Sequence, residues 1–258
     1  MSVIALASIL ATQGQVTLLY QPKVGATYKY SNTTVQSSPM GGGSQTVSST
    51  TTMKVLSLTG GYYNLSVGTS NVKITGGQGN ADQMKKMMEG KPMTMSIDKY
   101  GAPKKDGKGM APGMQQMMNN LGSQGGVMMF PKKAIKVGDT WSNTIDLGSA
   151  VGSMMKGQGN APKGMKSTGK LTTTYKLIKL DGSSATIAST MKGAMDMDMG
   201  AGRGGPGGGQ GMKMSMTLGA TGQYTVEKAT GTMVNSTMKM DIGVMGQKMT
   251  NSMTIKRI

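Results

Sequence analysis

The stretch TTMKVLSLTGG (residues 51–61) alternates apolar and polar residues and then changes face. Met53 and Val55 fall on one side of an extended chain, Leu56 and Leu58 on the other. TTYKLIKLDG (173–182) does the same, with Tyr175 and Leu177 followed by Ile178 and Leu180. Successive side chains of a strand point to opposite faces, so the switch calls for one extra residue, a β-bulge, at a matched place in each. Gly60-Gly61 and Asp181-Gly182 then supply hairpin turns. A chain written in this way folds as antiparallel sheet.

The correspondence extends in both directions. Lys23-Val24-Gly25-Ala26-Thr27-Tyr28 is answered by Lys136-Val137-Gly138-Asp139-Thr140-Trp141. Tyr63, Leu65 and Val67 answer to Ala185, Ile187 and Ser189, and SIDKYG (96–101) to TVEKATG (225–231). Matched blocks in one order point to a duplicated unit, with Gly supplying a turn and the aromatic anchoring a first strand. The expected organisation is a first β repeat over 14–129 carrying Met-rich helices, and a second over 130–258. The Gly-rich run GAGRGGPGGGQG (200–211) is expected as a loop in the second.

Strands are expected near 15–21, 26–37, 45–58, 61–74, 91–99, 139–147, 168–180, 183–198, 211–227, 232–244 and 247–257. Helical spacing is rare. Met84, Met87 and Met88 stand at i, i+3, i+4, and Met114, Met117, Met118 and Leu121 at i, i+3, i+4, i+7, with Pro112 and Gly122 suited to start and stop. A weaker third pattern covers 149–156. The fold expected is mainly β (α+β): two related halves of curved antiparallel sheet, half-barrel-like, with two or three short Met-rich helices packed on it.

Methionine carries the apolar pattern. There are 30 Met against one Phe and one Trp, so an unbranched, polarizable side chain stands where Leu is usual. Thioethers also select Cu(I). Candidate clusters are Met84/Met87/Met88, Met114/Met117/Met118 and Met212/Met214/Met216. The same residue type fills every apolar face, however, as at Met233, Met238, Met240, Met249 and Met253, which favours packing over coordination. A third option joins the two: Met-faced helices over a half-open sheet form an adaptable lid on an apolar groove. The ligand-binding residues expected on that basis are Met84, Met87, Met88, Met114, Met117, Met118 and Leu121.

Catalysis is hard to build from this inventory. The chain has no His and no Cys, which removes imidazole bases, thiolate nucleophiles, disulfides and His/Cys metal sites. Its nearest carboxylate pair, Asp196 and Asp198, lies on one strand face opposite Met195, Met197 and Met199, the pattern of a solvent-facing stripe. Gly200, Gly202 and Gly205 fit a dinucleotide fingerprint formally but open no helix. The expectation is no enzyme, no cofactor and no metal.

Charge points to anionic partners. With 28 Lys+Arg against 11 Asp+Glu the net charge is +17, and the only arginines are Arg203 and Arg257. Such a surface is drawn to phospholipid headgroups or wall polymers, whereas specific nucleic-acid readout wants Arg and aromatics. The run SVIALASILA (2–11) resembles the apolar part of a secretory signal, so 1–13 are expected as a signal-peptide remnant and the protein as extracytoplasmic, periplasmic or secreted. No segment approaches the ~20 apolar residues of a membrane span.

YQPKVGATYKY, FPKKAIKVGDTW and the IDKYG and VEKATG blocks together resemble an uncharacterised family of exported bacterial proteins, a domain of unknown function. The resemblance covers nearly the whole chain. It implies a signal sequence, a Gly-x-x-aromatic first strand, and a shape similar to the curved half-barrels of bacterial lipoprotein carriers. The chain departs in lacking a lipobox Cys and in its Met content, and the motifs carry no catalytic residues. The function expected is a non-catalytic envelope protein binding an apolar or amphipathic ligand such as lipid. The alternatives are a structural module on anionic envelope polymers, and Cu(I) binding by Met clusters.

Overall fold

The computed structural model describes residues 14–37, 43–77, 81–104, 127–148, 166–198, 213–244 and 246–258. Ten strands form one antiparallel, curved, unclosed sheet. They are β1 (Thr27–Ser37), β2 (Ser44–Thr59), β3 (Tyr62–Gly76), β4 (Met93–Asp98), β5 (Thr140–Asp146), β6 (Lys166–Leu180), β7 (Ser184–Asp198), β8 (Lys213–Glu227), β9 (Met233–Val244) and β10 (Gln247–Arg257). Their order is β4-β3-β2-β1-β10-β9-β8-β7-β6-β5. The first and last strands therefore pair in the middle, Tyr30 opposite Arg257, and the edges are β4 and β5, neighbours in the chain.

All strands reach their turns, or their first and last residues, at two common ends. At one end lie the Lys-Val-Gly turns, the hairpin turns after β2, β6 and β8, and the chain that follows β4; we call it the closed end. Both expected bulges are found there. Register slips by one residue between Val55 and Ser57, and again between Leu177 and Lys179. The turns dock on these bulges alike: Gly25 N donates to Val55 O and Gly138 N to Leu177 O, each at 2.8 Å. Gly25 and Gly138 hold φ of +86° and +97°, where a side chain is strained. The third matched block also agrees, since Gly101 N bonds Asp98 O and Gly231 N bonds Glu227 O.

The core sits against one face of the sheet at this closed end. Val55, Leu65, Ile97, Leu171, Leu177 and Ile187 are fully buried, each worth about 1.5–3 kcal/mol of transfer free energy. Among the described residues the cover includes two extended segments, 14–20 and 127–137, whose Leu18, Tyr20, Phe130 and Ile135 fill the volume. The segment expected as a strand at 15–21 makes only the bridge Val16–Ile135, because its amides go to different partners: Tyr20 N to Lys99 O and Gln21 N to Thr230 O. Trp141 stacks on Tyr175 at 5.4 Å between centroids and donates its indole N–H to Met129 O.

The expected helices need correction. Among the described residues one helix is complete, α1 (Ala81–Met88), and Leu147 and Gly148 after β5 are also helical. Helix α1 packs on β3, beyond the covered core, with Glu89 Oε1 accepting from Val72 N at 2.7 Å. Met114, Met117, Met118 and Leu121 lie outside the described residues, as do residues 149–156, 1–13 and the loop 200–211. The two extended segments can lie over the core because their backbone groups are satisfied on several neighbours at once.

Four core phenols make stability depend on high pH. Burial raises the pKa of Tyr20, Tyr30, Tyr175 and Tyr224 above the ordinary value of 10.0. The folded state then keeps protons that the unfolded chain releases. The stabilisation is fully present below about pH 10 and is lost as pH rises toward the raised folded values. The urea midpoint is expected to fall above pH 10, with phenolate absorbance appearing only as the protein unfolds; free titration of these phenols in folded protein would contradict the burial.

Candidate functional site

Away from the closed end, the same sheet face continues without cover from any described element. On β7–β10 it is a methionine wall. Met195 stands opposite Met216, and Met197 opposite Met214. Met238 stands opposite Met253, and Met240 opposite Asn251. Directly opposed side chains have Cβ atoms about 4.5–5.5 Å apart, so thioethers touch across β7–β8 and β9–β10, while across β8–β9 Met216 faces Val244, Met238 faces Gly222 and Met240 faces Ala220. Met195 and Met238 are buried, while Met197, Met214, Met216, Met240 and Met253 are half-buried.

On β1 and β2 the face is polar but neutral. Asn32 donates to Thr51 Oγ1 at 2.7 Å and to Ser49 Oγ at 3.4 Å. Thr34 stands opposite Met253, and Gln36 opposite Asn251. Asn251 Oδ1 is buried and has no hydrogen-bond partner among the described residues, a state that costs about 1–3 kcal/mol. The two walls meet along β1–β10. On β1, β2 and β7–β10 the alternation places no charged side chain on this face before Arg257 at the closed end. There Arg257 pairs with Glu227 Oε2 at 3.4 Å and lies over the Tyr28 ring at 6.0 Å. The Thr230 hydroxyl, then Arg257, hold the Glu227 carboxyl below its usual value.

Of the expected site residues, Met114, Met117, Met118 and Leu121 lie outside the described residues. On α1, Met84 is half-buried and Met88 is exposed, so neither is turned into the core. The methionines brought together are those of the strands. Their signal was plain in the alternation at 195–199, 214–216 and 238–240; what local pattern lacked was which strands are neighbours.

The carboxylates face the other way. Asp196 lies on the solvent side and accepts from Ser215 at 2.6 Å. It borders a cleft of about 330 Å³ at the open end, lined also by Met197, Asp198, Lys213 and Met214. Among the described residues no group of three or more His, Cys, Asp or Glu is placed to hold a metal ion, and no helix is long and apolar enough to cross a membrane.

Comparison with known proteins leaves the site to speak for itself: no family model matches the chain, and no curated protein matches it at a significant level.

Proposed function

We propose that this chain is a non-catalytic, exported binding protein of the resembled β-rich class, built from two duplicated halves, whose half-barrel interior holds a neutral amphipathic molecule such as a lipid. Acyl chain lies on the methionine wall of β7–β10, where flexible thioethers repack around varied shapes. Hydroxyl or ester groups meet Asn32, Thr34, Gln36 and Asn251. The observation that carries this is the two-walled, uncharged interior, with the buried Asn251 Oδ1 lacking a partner among the described residues. The matched turns and bulges support the duplication.

Native mass spectrometry of protein purified from its own host is expected to show a bound lipid mass. After delipidation, a fluorescent monoacylglycerol is expected to bind. Met216→Gln with Met240→Gln, which keeps volume but wets the wall, is expected to weaken it about tenfold, or about 1.4 kcal/mol. Bare protein in the spectrometer together with no dye binding would end the proposal. Cu(I) binding draws on the same methionines, and tight anaerobic Cu(I) uptake against a competing chelator would favour it instead.

A further inference from the structure

Beyond the interior, we propose that the closed end is a docking surface for anionic phospholipid membrane, made by two equivalent basic-aliphatic knuckles. Seven large hydrophobic residues are exposed among the described residues, and five of them, Val24, Leu56, Leu58, Ile178 and Ile258, stand at this one end. Their exposure runs from 38% to 68%. Isolated exposed aliphatics are ordinary, but their gathering on one end is not.

The bulges explain how they are presented. Leu56 is the extra residue between the pairs Val55–Leu65 and Ser57–Asn64. Ile178 is the extra residue between Leu177–Ile187 and Lys179–Thr186. Each has no partner across the ladder, and its side chain is turned out of the core. The fold needs the inserted backbone there; it does not need an aliphatic side chain, since a polar one would sit as well in water. Val24 lies at the tip of the turn that bonds beside Leu56.

Charge accompanies each knuckle in the same place. Lys54 precedes Leu56 by two residues, as Lys176 precedes Ile178, and Lys23 and Lys136 begin the two docked turns. All four are exposed and make no ion pair among the described residues. The nearby carboxylates are engaged: Asp181 with Lys179 at 2.9 Å, Glu227 with Arg257, Asp139 with the Lys136 N–H, and Asp98 with two backbone amides. Aliphatic tips that enter the interface, flanked by lysines that stay at headgroup level, match an anionic bilayer rather than a soluble polyanion, which offers nothing for the tips. Leu56 and Ile178 lie six strand spacings apart, about 29 Å along the curved sheet.

Cosedimentation with vesicles of phosphatidylglycerol and phosphatidylcholine, against pure phosphatidylcholine, tests this. Wild type is expected to prefer the anionic vesicles. Leu56→Ser with Ile178→Ser, and separately Lys54→Ser with Lys176→Ser, are each expected to lower partitioning about tenfold, with melting unchanged because the sites are exposed. The chain has no Cys, so a polarity-sensitive dye on Leu56→Cys is expected to shift to the blue on vesicle addition, while one on Thr190→Cys is not. Loss of binding with the lysine pair alone would reduce the effect to diffuse charge attraction and overturn the proposal. So would a wild-type dimer that the serine pair dissociates, assigning the surface to a second copy. The interior dye is expected to bind both pairs as wild type, so the docking surface and the ligand site stand or fall separately.

Discussion

Truncating Leu177 to alanine is expected to lower the unfolding free energy by about 2–5 kcal/mol, read as a lower urea midpoint at unchanged slope. Leu177 has no exposed surface and packs within the cluster that includes Ile187 and Val226. The next residue, Ile178, points outward and is 38% exposed, and Ile178→Ala is expected to cost no more than about 0.5 kcal/mol. Adjacent aliphatics differ in this way when strand alternation puts one in the core and the next in solvent. Equal losses at the two positions would contradict the burial of Leu177 and the exposure of Ile178.

The second large effect is expected at Gly231. Its φ is +66°, and an added Cβ would run into the Leu19 carbonyl oxygen, with Phe130 Cε2 at 3.0 Å. Left-handed backbone costs an L residue about 1–2 kcal/mol, and overpacking adds about 1–3 kcal/mol. Gly231→Ala is therefore expected to destabilise by about 2–5 kcal/mol. Gly25, at φ +86° with open space around its α-carbon, is expected to show only the backbone part, about 1–2 kcal/mol. Because Gly231 seats the segment 14–20 over the core, its variant is also expected to speed amide exchange at Leu18 relative to Leu171. Equal costs at Gly231 and Gly25 would mean that the segment is not held there.

Much of the candidate site could be read from the residues, but not its location. Met214 and Met216, or Met238 and Met240, announce one face of a strand by their spacing alone. That this face is continuous from β7 to β10, with Met195 opposite Met216 and Met238 opposite Met253, depends on register between segments far apart in the chain. The helical spacing at 84–88 was as legible, and α1 forms there. Its spacing could not say that Met88 would remain 39% exposed, since an amphipathic stripe shows what a helix offers, not what stands before it.

Local pattern determined ten strands, their turns and both bulges, because period-two alternation and positive-φ glycines act over a few residues and do not depend on what packs above them. The tertiary structure alone decided that β1 pairs with β10, leaving β4 and β5 as edges, and that among the described residues extended segments lie over the core. It also decided where the methionine wall begins. These outcomes turn on contacts between residues far apart in sequence, which hydrophobic alternation permits in many arrangements, and only the competition for burial selects among them.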